Sequence, residues 1–537
     1  MLEQLFALAL AVLPIGTQSA DADELEFTPE RAEHLFNRAA FGVTSSEAKE
    51  LSEAGLGAAL SSLFEVREDQ LPFYFRRFGV RYTILRDRLG LSADTPEGSD
   101  RALRDTRKAE RALDRGQLDD YTNWWLEQMV AHTDPLRDRM TLFWHGYFTS
   151  SQRDVRNSFE MLTQHQLLRR EALGSFREML HGIARDPAML EYLDNDSSSI
   201  RRPNENFARE LLELFTLGEG NYEEEDILEA ARAFVGWTDE DSTFLIDEEG
   251  VDRGQKTFLG RTGSFDGNDI LNILLEQPAC AEHVAGAIVT WLEGLAPGPE
   301  RRAHYGQLLL ENDYQIRPLL SELFRDPEFF RAEAIGQRIA GPVDLLVGQA
   351  RRLGVKPPAK FLSFGSEILG QRLFYPPSVK GWDGGRAWIT TATLMQRGNL
   401  SGVLTGQLQA ETLQEDQEAW EAAATNDQMD SMGSAEAQLG GNRDPFLDQL
   451  EDLFELGWQP RLNLSGWLDH TGARSTEDVV SKLAHQLLAI SPGSATLEEL
   501  GRWWQVEGAG SKGRDEQELA LRRMAYLILA LPEAQLH

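Results

Sequence analysis

Apolar residues recur every three or four positions along most of this 537-residue chain. Such spacing gathers the apolar side chains on one face of an α-helix. Because a helix cannot cover its own apolar face, several such helices must pack on one another. The pattern therefore predicts a mainly α fold, with many helices in an orthogonal or bundle architecture. The clearest segments are 56–64 (LGAALSSLF), 121–133 (YTNWWLEQMVAHT), 136–148 (LRDRMTLFWHGYF), 171–184 (EALGSFREMLHGIA) and 206–218 (NFARELLELFTLG).

Residues typical of helix ends support this prediction. Asp before a helix can accept hydrogen bonds from free backbone N–H groups, and Pro in the first turn loses no donor that is needed. Gly218 follows ELFTL and predicts a helix end, because glycine readily adopts the left-handed conformation. Four Asp-Pro pairs are predicted to start helices: Asp134-Pro135, Asp186-Pro187, Asp326-Pro327 and Asp444-Pro445.

Strand patterns are sparse. The best candidates are 242–247 (STFLID) and 255–260 (QKTFLG), which are joined by the turn-rich segment EEGVDRG. Short β-branched and aromatic runs on either side of a turn are typical of a hairpin. The sequence predicts a small β-hairpin insertion in a mainly α fold.

The N-terminus predicts export. Residues 5–16 (LFALALAVLPIG) are too few to span a bilayer, and Ala20-Asp21-Ala22 offers a cleavage site, so residues 1–22 are predicted to be a signal peptide. A periplasmic or extracellular protein without a transmembrane segment in its mature form follows. However, Glu3 stands where a signal peptide usually carries a positive charge. The alternative is a short apolar helix that docks on the main body of the chain, and a cytoplasmic protein then remains possible.

Composition divides the rest of the chain into three parts. Residues 23–409 are predicted to form the main helical domain and residues 445–537 a C-terminal helical subdomain. Between them, residues 410–444 are rich in Glu, Gln, Ala and Gly, which predicts a linker or mobile insertion. Within the main domain, residues 94–116 are almost entirely polar and predict an exposed helix or a flexible excursion.

The charge balance excludes some partners. With 53 Lys+Arg against 87 Asp+Glu, the net charge is −34, which argues against nucleic acid or an anionic membrane as the main partner. The single cysteine, Cys280, excludes an intrachain disulfide and any multi-cysteine metal site. It is expected in the core. No HExxH, GxSxG, Walker or strand-linked GxGxxG motif is present.

A divalent cation, Ca²⁺ or Mg²⁺, is the predicted cofactor of the 194–205 loop. Asp194, Asp196 and Glu205 fall at positions 1, 3 and 12 of a calcium-loop spacing. Ser199 replaces the glycine of that loop and two arginines follow it, which contradicts the match. The alternative is an ordinary connection in which Asn204 caps the next helix; Asn204 is also a candidate ligand-binding residue.

Three residues are candidates for acid–base chemistry. Glu210 and Glu213 lie at the edge of the apolar arc of their helix, where a partly buried carboxylate needs an arginine, a metal ion or a proton. Either they line a site, or Glu210 pairs with Arg209 or Arg232. His145 falls opposite the apolar stripe of its helix, so it is either a proton shuttle or a solvated residue.

The segment 373–394 is the best candidate for a ligand-facing loop. It places Trp382 between the cations Lys380 and Arg386 in a glycine-rich stretch. Loops on a rigid scaffold often carry binding residues. The alternative is an aromatic-packed loop that clamps helices.

Seven stretches form one recognisable pattern: 32–44 (AEHLFNRAAFGVT), 142–151 (LFWHGYFTSS), 167–196, 203–237, 256–278, 376–399 (PPSVKGWDGGRAWITTATLMQRGN) and the closing LILALPEAQL. Together they resemble the bacterial family of unknown function DUF 1800. The resemblance implies a mostly helical, often exported protein, frequently paired in genomes with a sulfatase or alkaline-phosphatase-like secreted protein, and it implies no established reaction. Members of the family often have the sequence WHNHF where this chain has WHGYF at 144–148. The second histidine is missing here, which argues against a two-histidine metal site in this chain.

Two functions follow as hypotheses. The first is an exported, divalent-metal-dependent, hydrolase-like enzyme with a carboxylate-rich site, in which a metal ion would supply Lewis acidity. The second is a non-catalytic exported scaffold or binding protein that acts with the sulfatase-like partner.

Overall fold

The computed structural model describes residues 26–67, 71–78, 101–408, 458–508, 510 and 513–537. The signal peptide 1–22, the linker 410–444 and Asp444-Pro445 lie outside these residues, so the domain boundaries stay a prediction. Up to residue 233, the described helices are α1 (Pro29–Ala39), α2 (Ser45–Ala54), α3 (Leu56–Phe64), α4 (Arg101–Ala131), α5 (Pro135–Tyr147), α6 (Gln152–Val155), α7 (Ser158–Glu171), α8 (Phe176–Ala184), α9 (Pro187–Tyr192), α10 (Glu205–Glu210) and α11 (Glu224–Ala233).

After residue 233 the described helices are slightly longer on average. The part of the chain that the structure describes also contains four short 3₁₀ turns, one before residue 233, at 195–197, and three after it, at 327–330, 385–388 and 532–535. The helices are α12 (Gly267–Leu275), α13 (Pro278–Glu293), α14 (Pro299–Glu311), α15 (Ile316–Leu323), α16 (Pro342–Leu353), α17 (Ala359–Ile368), α18 (Thr391–Thr405), α19 (Leu464–Thr471), α20 (Thr476–Leu487), α21 (Ser494–Glu507) and α22 (Arg514–Leu529). The mainly α prediction is confirmed.

The predicted hairpin has the wrong strand pairing. Both predicted strands exist, but β2 (Phe244–Ile246) pairs with β1 (Trp237–Asp239), and β3 (Lys256–Phe258) pairs with β4 (Arg261–Gly263). Each strand therefore takes the nearest neighbour across a tight turn. Left-handed residues 241–242 and 259–260 form those turns, as hairpin turns that match the strand twist require.

Most predicted helix ends are confirmed. Asp186 accepts from Met189 N at 3.1 Å, and Asp326 starts a 3₁₀ turn rather than an α-helix. Gly218 has φ +76° just after the helix ends. A helix begins after Asp134, but that carboxylate binds the Arg137 side chain instead of the helix backbone. The segment 171–184 is interrupted by a break, because Ser175 caps a new helix, α8.

Two apolar cores organise the described residues. The first lies around α1, α3, α5, α8 and α10–α15, and Cys280 is fully buried in it, as expected for a small core residue. The second joins α4 and α16–α18 to α19–α22. Helix α5 contributes to both, with Trp144 in the first and Leu142 in the second. It is consequently surrounded on nearly every side.

The polar segment 94–116 is helical where it is described. Residues 101–116 form the first half of α4, and most side chains between 104 and 115 are exposed, which confirms the exposed-helix alternative for this part. None of the described helices combines the length and the apolar character that a bilayer span requires.

Candidate ligand-binding cleft

A cleft of about 460 Å³ opens beside the C-terminal half of α5. Its other walls are the end of α13, the segment 337–344 and the glycine-rich part of loop 373–394. We call it the tryptophan cleft. It is lined by Leu142, Phe143, Gly146, Tyr147, Thr290, Trp291, Gly294, Gln337, Arg338, Ile339, Gly341, Asp344, Gln371, Trp382, Asp383, Gly384, Gly385, Arg386 and Trp388.

Close backbone contact holds the loop against α5. Thr149 Oγ1 donates to Val379 O at 2.6 Å. Gly381 has φ +77°, and a Cβ added there would lie 2.4 Å from Gly146 O. Only glycine satisfies both the left-handed conformation and the close approach. At its far end the loop enters α18 through a capping box at Thr390.

Three half-buried indoles form the apolar part of the cleft: Trp291, Trp382 and Trp388. The guanidinium of Arg139 lies 4.3 Å from the Trp291 ring centroid, and that of Arg338 lies 4.8 Å from it. These contacts fix the orientation of Trp291, because a cation over an indole face is attracted by the ring quadrupole. Trp291 is therefore held in place in the cleft wall.

A buried charge cluster forms the polar wall. Asp344 is only 3 % exposed and binds both Arg139 Nη1 and Arg338 Nη2, the latter at 2.7 Å. Arg338 Nη1 is buried and has no hydrogen-bond partner among the described residues. Burial, together with the charge of Arg338, lowers the pKa of the nearby Arg38 to about 9. Asp344 thus binds two guanidinium groups, and it also interacts electrostatically with Arg38.

His145 lies behind Trp382 instead of on a solvated face. Its ring is 5.7 Å from that of Trp382 and 4.8 Å from that of Phe374, and its Nε2 accepts from Phe374 N at 3.0 Å. The solvated alternative is wrong, because α5 is covered on its polar face as well as on its apolar one. Burial lowers the pKa of His145 to about 3, so the ring is neutral at neutral pH.

Glu213 and Lys380 lie outside the lining of the cleft. Lys380 Nζ is 3.9 Å from Glu213 Oε1 and is exposed, and it is not among the residues that line the cleft. Tyr222 donates to Glu213 Oε2 at 3.2 Å. Burial and the neighbouring Glu213 raise the pKa of Glu210, while Lys380 opposes the shift.

The expected arginine partners of Glu210 bind other carboxylates. Arg209 pairs with Glu224 at 2.5 Å, and Arg232 pairs with Glu229 and Asp252. The helix is also not a regular α-helix beyond Glu210, because residues 211–216 form a π-helical turn. With more residues per turn, positions after 210 rotate away from the arc that 100° per residue predicts.

The 194–205 loop shows a capped connection. Asn204 Oδ1 accepts from Asn206 N at 2.9 Å, which confirms the N-cap alternative, and its Nδ2 donates to Leu193 O. Asp194, Asp196 and Glu205 are all exposed. Across the described ranges, no group of three His, Cys, Asp or Glu side chains is arranged to hold a metal ion.

Comparison with known proteins identifies the family. Residues 34–536 match the family described as "Protein of unknown function (DUF1800)". The chain belongs to the DUF1800 family. No curated protein and no solved structure matches this DUF1800 chain.

The cleft of this DUF1800 protein contains two of the predicted ligand-binding residues, Trp382 and Arg386. It does not include the other predicted site residues in its lining. Sequence reasoning missed Trp291, Arg338 and Asp344, which come from outside the loop. The one local signal was the Gly-Pro helix start at 341–342, and nothing in it indicated which loop the helix would face.

Proposed function

We propose that this DUF1800 protein binds a small, polar, ring-shaped ligand that carries an acidic group. The observation that carries the proposal is the tryptophan cleft itself, where three indoles and two guanidinium groups face one cavity of about 460 Å³. That volume lies within the range of small-molecule sites, roughly 300–1,000 Å³. Aromatic walls with a few placed polar groups are typical of such sites.

The two guanidinium groups would play different parts. Arg338 is fixed by Asp344 and Trp291, and its guanidinium group adds a fixed positive charge to the cleft wall. Arg386 is exposed at the cleft mouth, where it would attract the anion. Gln371 Oε1 accepts from Val343 N at 3.0 Å, which positions that amide in the wall.

Export and partnership belong to the same proposal. Residues 1–22 would direct the chain out of the cytoplasm, and a sulfatase-like secreted protein would be its partner. Such a partner acts on anionic small molecules, the ligand class that the cleft fits. The proposal does not include the metal-dependent hydrolase predicted from Asp194, Asp196 and Glu205, because these carboxylates are exposed and do not line the cleft.

The ligand class can be tested with glucuronate and glucose, which differ in one carboxylate. Titration followed by tryptophan fluorescence and calorimetry should give saturable binding of glucuronate and much weaker binding of glucose. Arg386→Gln should weaken glucuronate roughly tenfold, because the positive charge that attracts the carboxylate is lost, and should leave glucose unchanged. Trp382→Ala should weaken both.

Trp503→Ala provides the control, since Trp503 lies in α21 and outside the cleft lining. The proposed ligand class would be overturned if glucuronate still bound to both Trp382→Ala and Arg386→Gln. It would also be overturned if the wild-type protein showed no saturable binding of glucuronate at millimolar concentration. Export is tested separately by N-terminal sequencing of the mature protein: a retained Met1 would contradict cleavage after Ala22.

A further inference from the structure

A second cavity, of about 370 Å³, lies between α4 and the end of α6 and is separate from the tryptophan cleft. We call it the arginine pocket. Four of its seven lining residues are arginines, although the chain as a whole carries a charge of −34. The lining residues are Arg111, Asp114, Arg115, Gln152, Arg153, Arg156 and Tyr375.

Helix geometry brings the arginines together. Arg111 and Arg115 are four residues apart on α4 and therefore share a face. Arg153 lies on α6, and Arg156 ends that helix in a left-handed conformation, φ +54°. Arg156 Nε donates to Arg153 O at 3.1 Å, which ties the second pair together.

The single carboxylate in the pocket is already engaged. Asp114 is buried, and its Oδ1 accepts from Ser158 N at 2.9 Å and from Ser158 Oγ at 2.6 Å. Its Oδ2 accepts from Gln152 Nε2 at 3.1 Å. Asp114 thus joins α4 to the start of α7 and forms part of the pocket floor.

The guanidinium groups remain available. Within the described ranges, no ion pair joins any of the four arginines to a carboxylate, and all four side chains are exposed. Four positive charges around one cavity repel one another, and an anion in the cavity would relieve that repulsion. With Asp114 counted, the lining carries an excess of three positive charges.

We propose that the arginine pocket binds a small molecule with phosphate or sulfate groups and at least two negative charges. A tetrahedral oxyanion directs its oxygens in several directions, so arginines from two helices can bind it at once, whereas the two oxygens of a carboxylate lie in one plane. The volume exceeds that of a bare ion and suits a small organic molecule or pyrophosphate.

The probe is pyrophosphate, with sulfate and citrate in parallel, added to the full chain and followed by calorimetry at low salt. Pyrophosphate is expected to bind tightest, sulfate more weakly, and citrate at least roughly tenfold more weakly than pyrophosphate despite a similar charge. Arg111→Gln and Arg153→Gln should each weaken pyrophosphate roughly tenfold. Both side chains are exposed, so both variants are expected to fold, which circular dichroism checks.

Two control variants locate the site. Arg474→Gln removes an exposed arginine outside the pocket and should leave pyrophosphate binding unchanged. Arg386→Gln removes a charge from the tryptophan cleft and should also leave it unchanged. Any one of three results would overturn the proposal. The first is that pyrophosphate binding is lost in Arg386→Gln but not in Arg111→Gln. The others are that citrate binds as tightly as pyrophosphate, or that no probe binds.

Discussion

Acidification tests whether His145 is a buried neutral residue. Burial lowers its pKa from 6.5 to about 3. Because the folded pKa is depressed, its contribution to stability is present above pH 6.5 and is lost as the pH falls through 6.5 toward 3. Between pH 6.5 and about pH 5, the unfolded chain gains a proton that the folded chain does not bind. At about 1.4 kcal/mol per pH unit, this lowers the free energy of unfolding by about 2 kcal/mol.

Urea unfolding of wild type and His145→Gln at about pH 7.5 and about pH 5 isolates this contribution. Glutamine can still accept from Phe374 N but does not titrate, so the variant should lose about 2 kcal/mol less than wild type on acidification. All other titrating groups cancel in the comparison. His470→Gln, at an exposed position, should behave as wild type. Equal pH dependence of wild type and His145→Gln would refute the buried neutral histidine and restore the proton-shuttle hypothesis.

Three further predictions concern packing and charge. Asp344→Asn should cost about 3–5 kcal/mol in urea unfolding, because it leaves buried guanidinium groups without their carboxylate; a loss below about 1 kcal/mol would contradict this. Gly381→Ala should destabilise the protein and weaken glucuronate binding more than Gly385→Ala, since both have positive φ but only Gly381 abuts backbone; equal effects would disprove the close approach. Burial raises the pKa of Asp186 to about 7. The contribution of Asp186 to the free energy of unfolding is therefore fully present below pH 3.8, and it is lost as the pH rises through 7. Asp186→Asn should therefore gain up to about 4 kcal/mol over wild type between pH 4 and pH 8 in the same assay, and a flat difference would argue against it.

Local chemistry explains what could be predicted. The helices at 56–64 and 136–147 follow from apolar spacing and capping residues, which act within one or two turns of chain. The loop that carries Trp382 and Arg386 was also predictable, because it is a glycine-rich stretch whose left-handed residues are local properties. Family membership was likewise readable from the sequence, and the match over residues 34–536 confirms it.

Contacts between distant segments decided the rest. Trp291, Arg338 and Asp344 join the loop only through helix packing, which no residue spacing encodes. The same packing covers the polar face of α5 and makes His145 a core residue, since a face is solvated only if no other element lies over it. The strand pairs depended on which neighbour formed a tight turn, and the π-helical turn after Glu210 altered the helical register. Thus the sequence by itself determined the helices, their ends and the family, because those depend on neighbouring residues. Only the tertiary structure decided which side chains share the cleft, because burial and charge pairing depend on segments far apart in the chain.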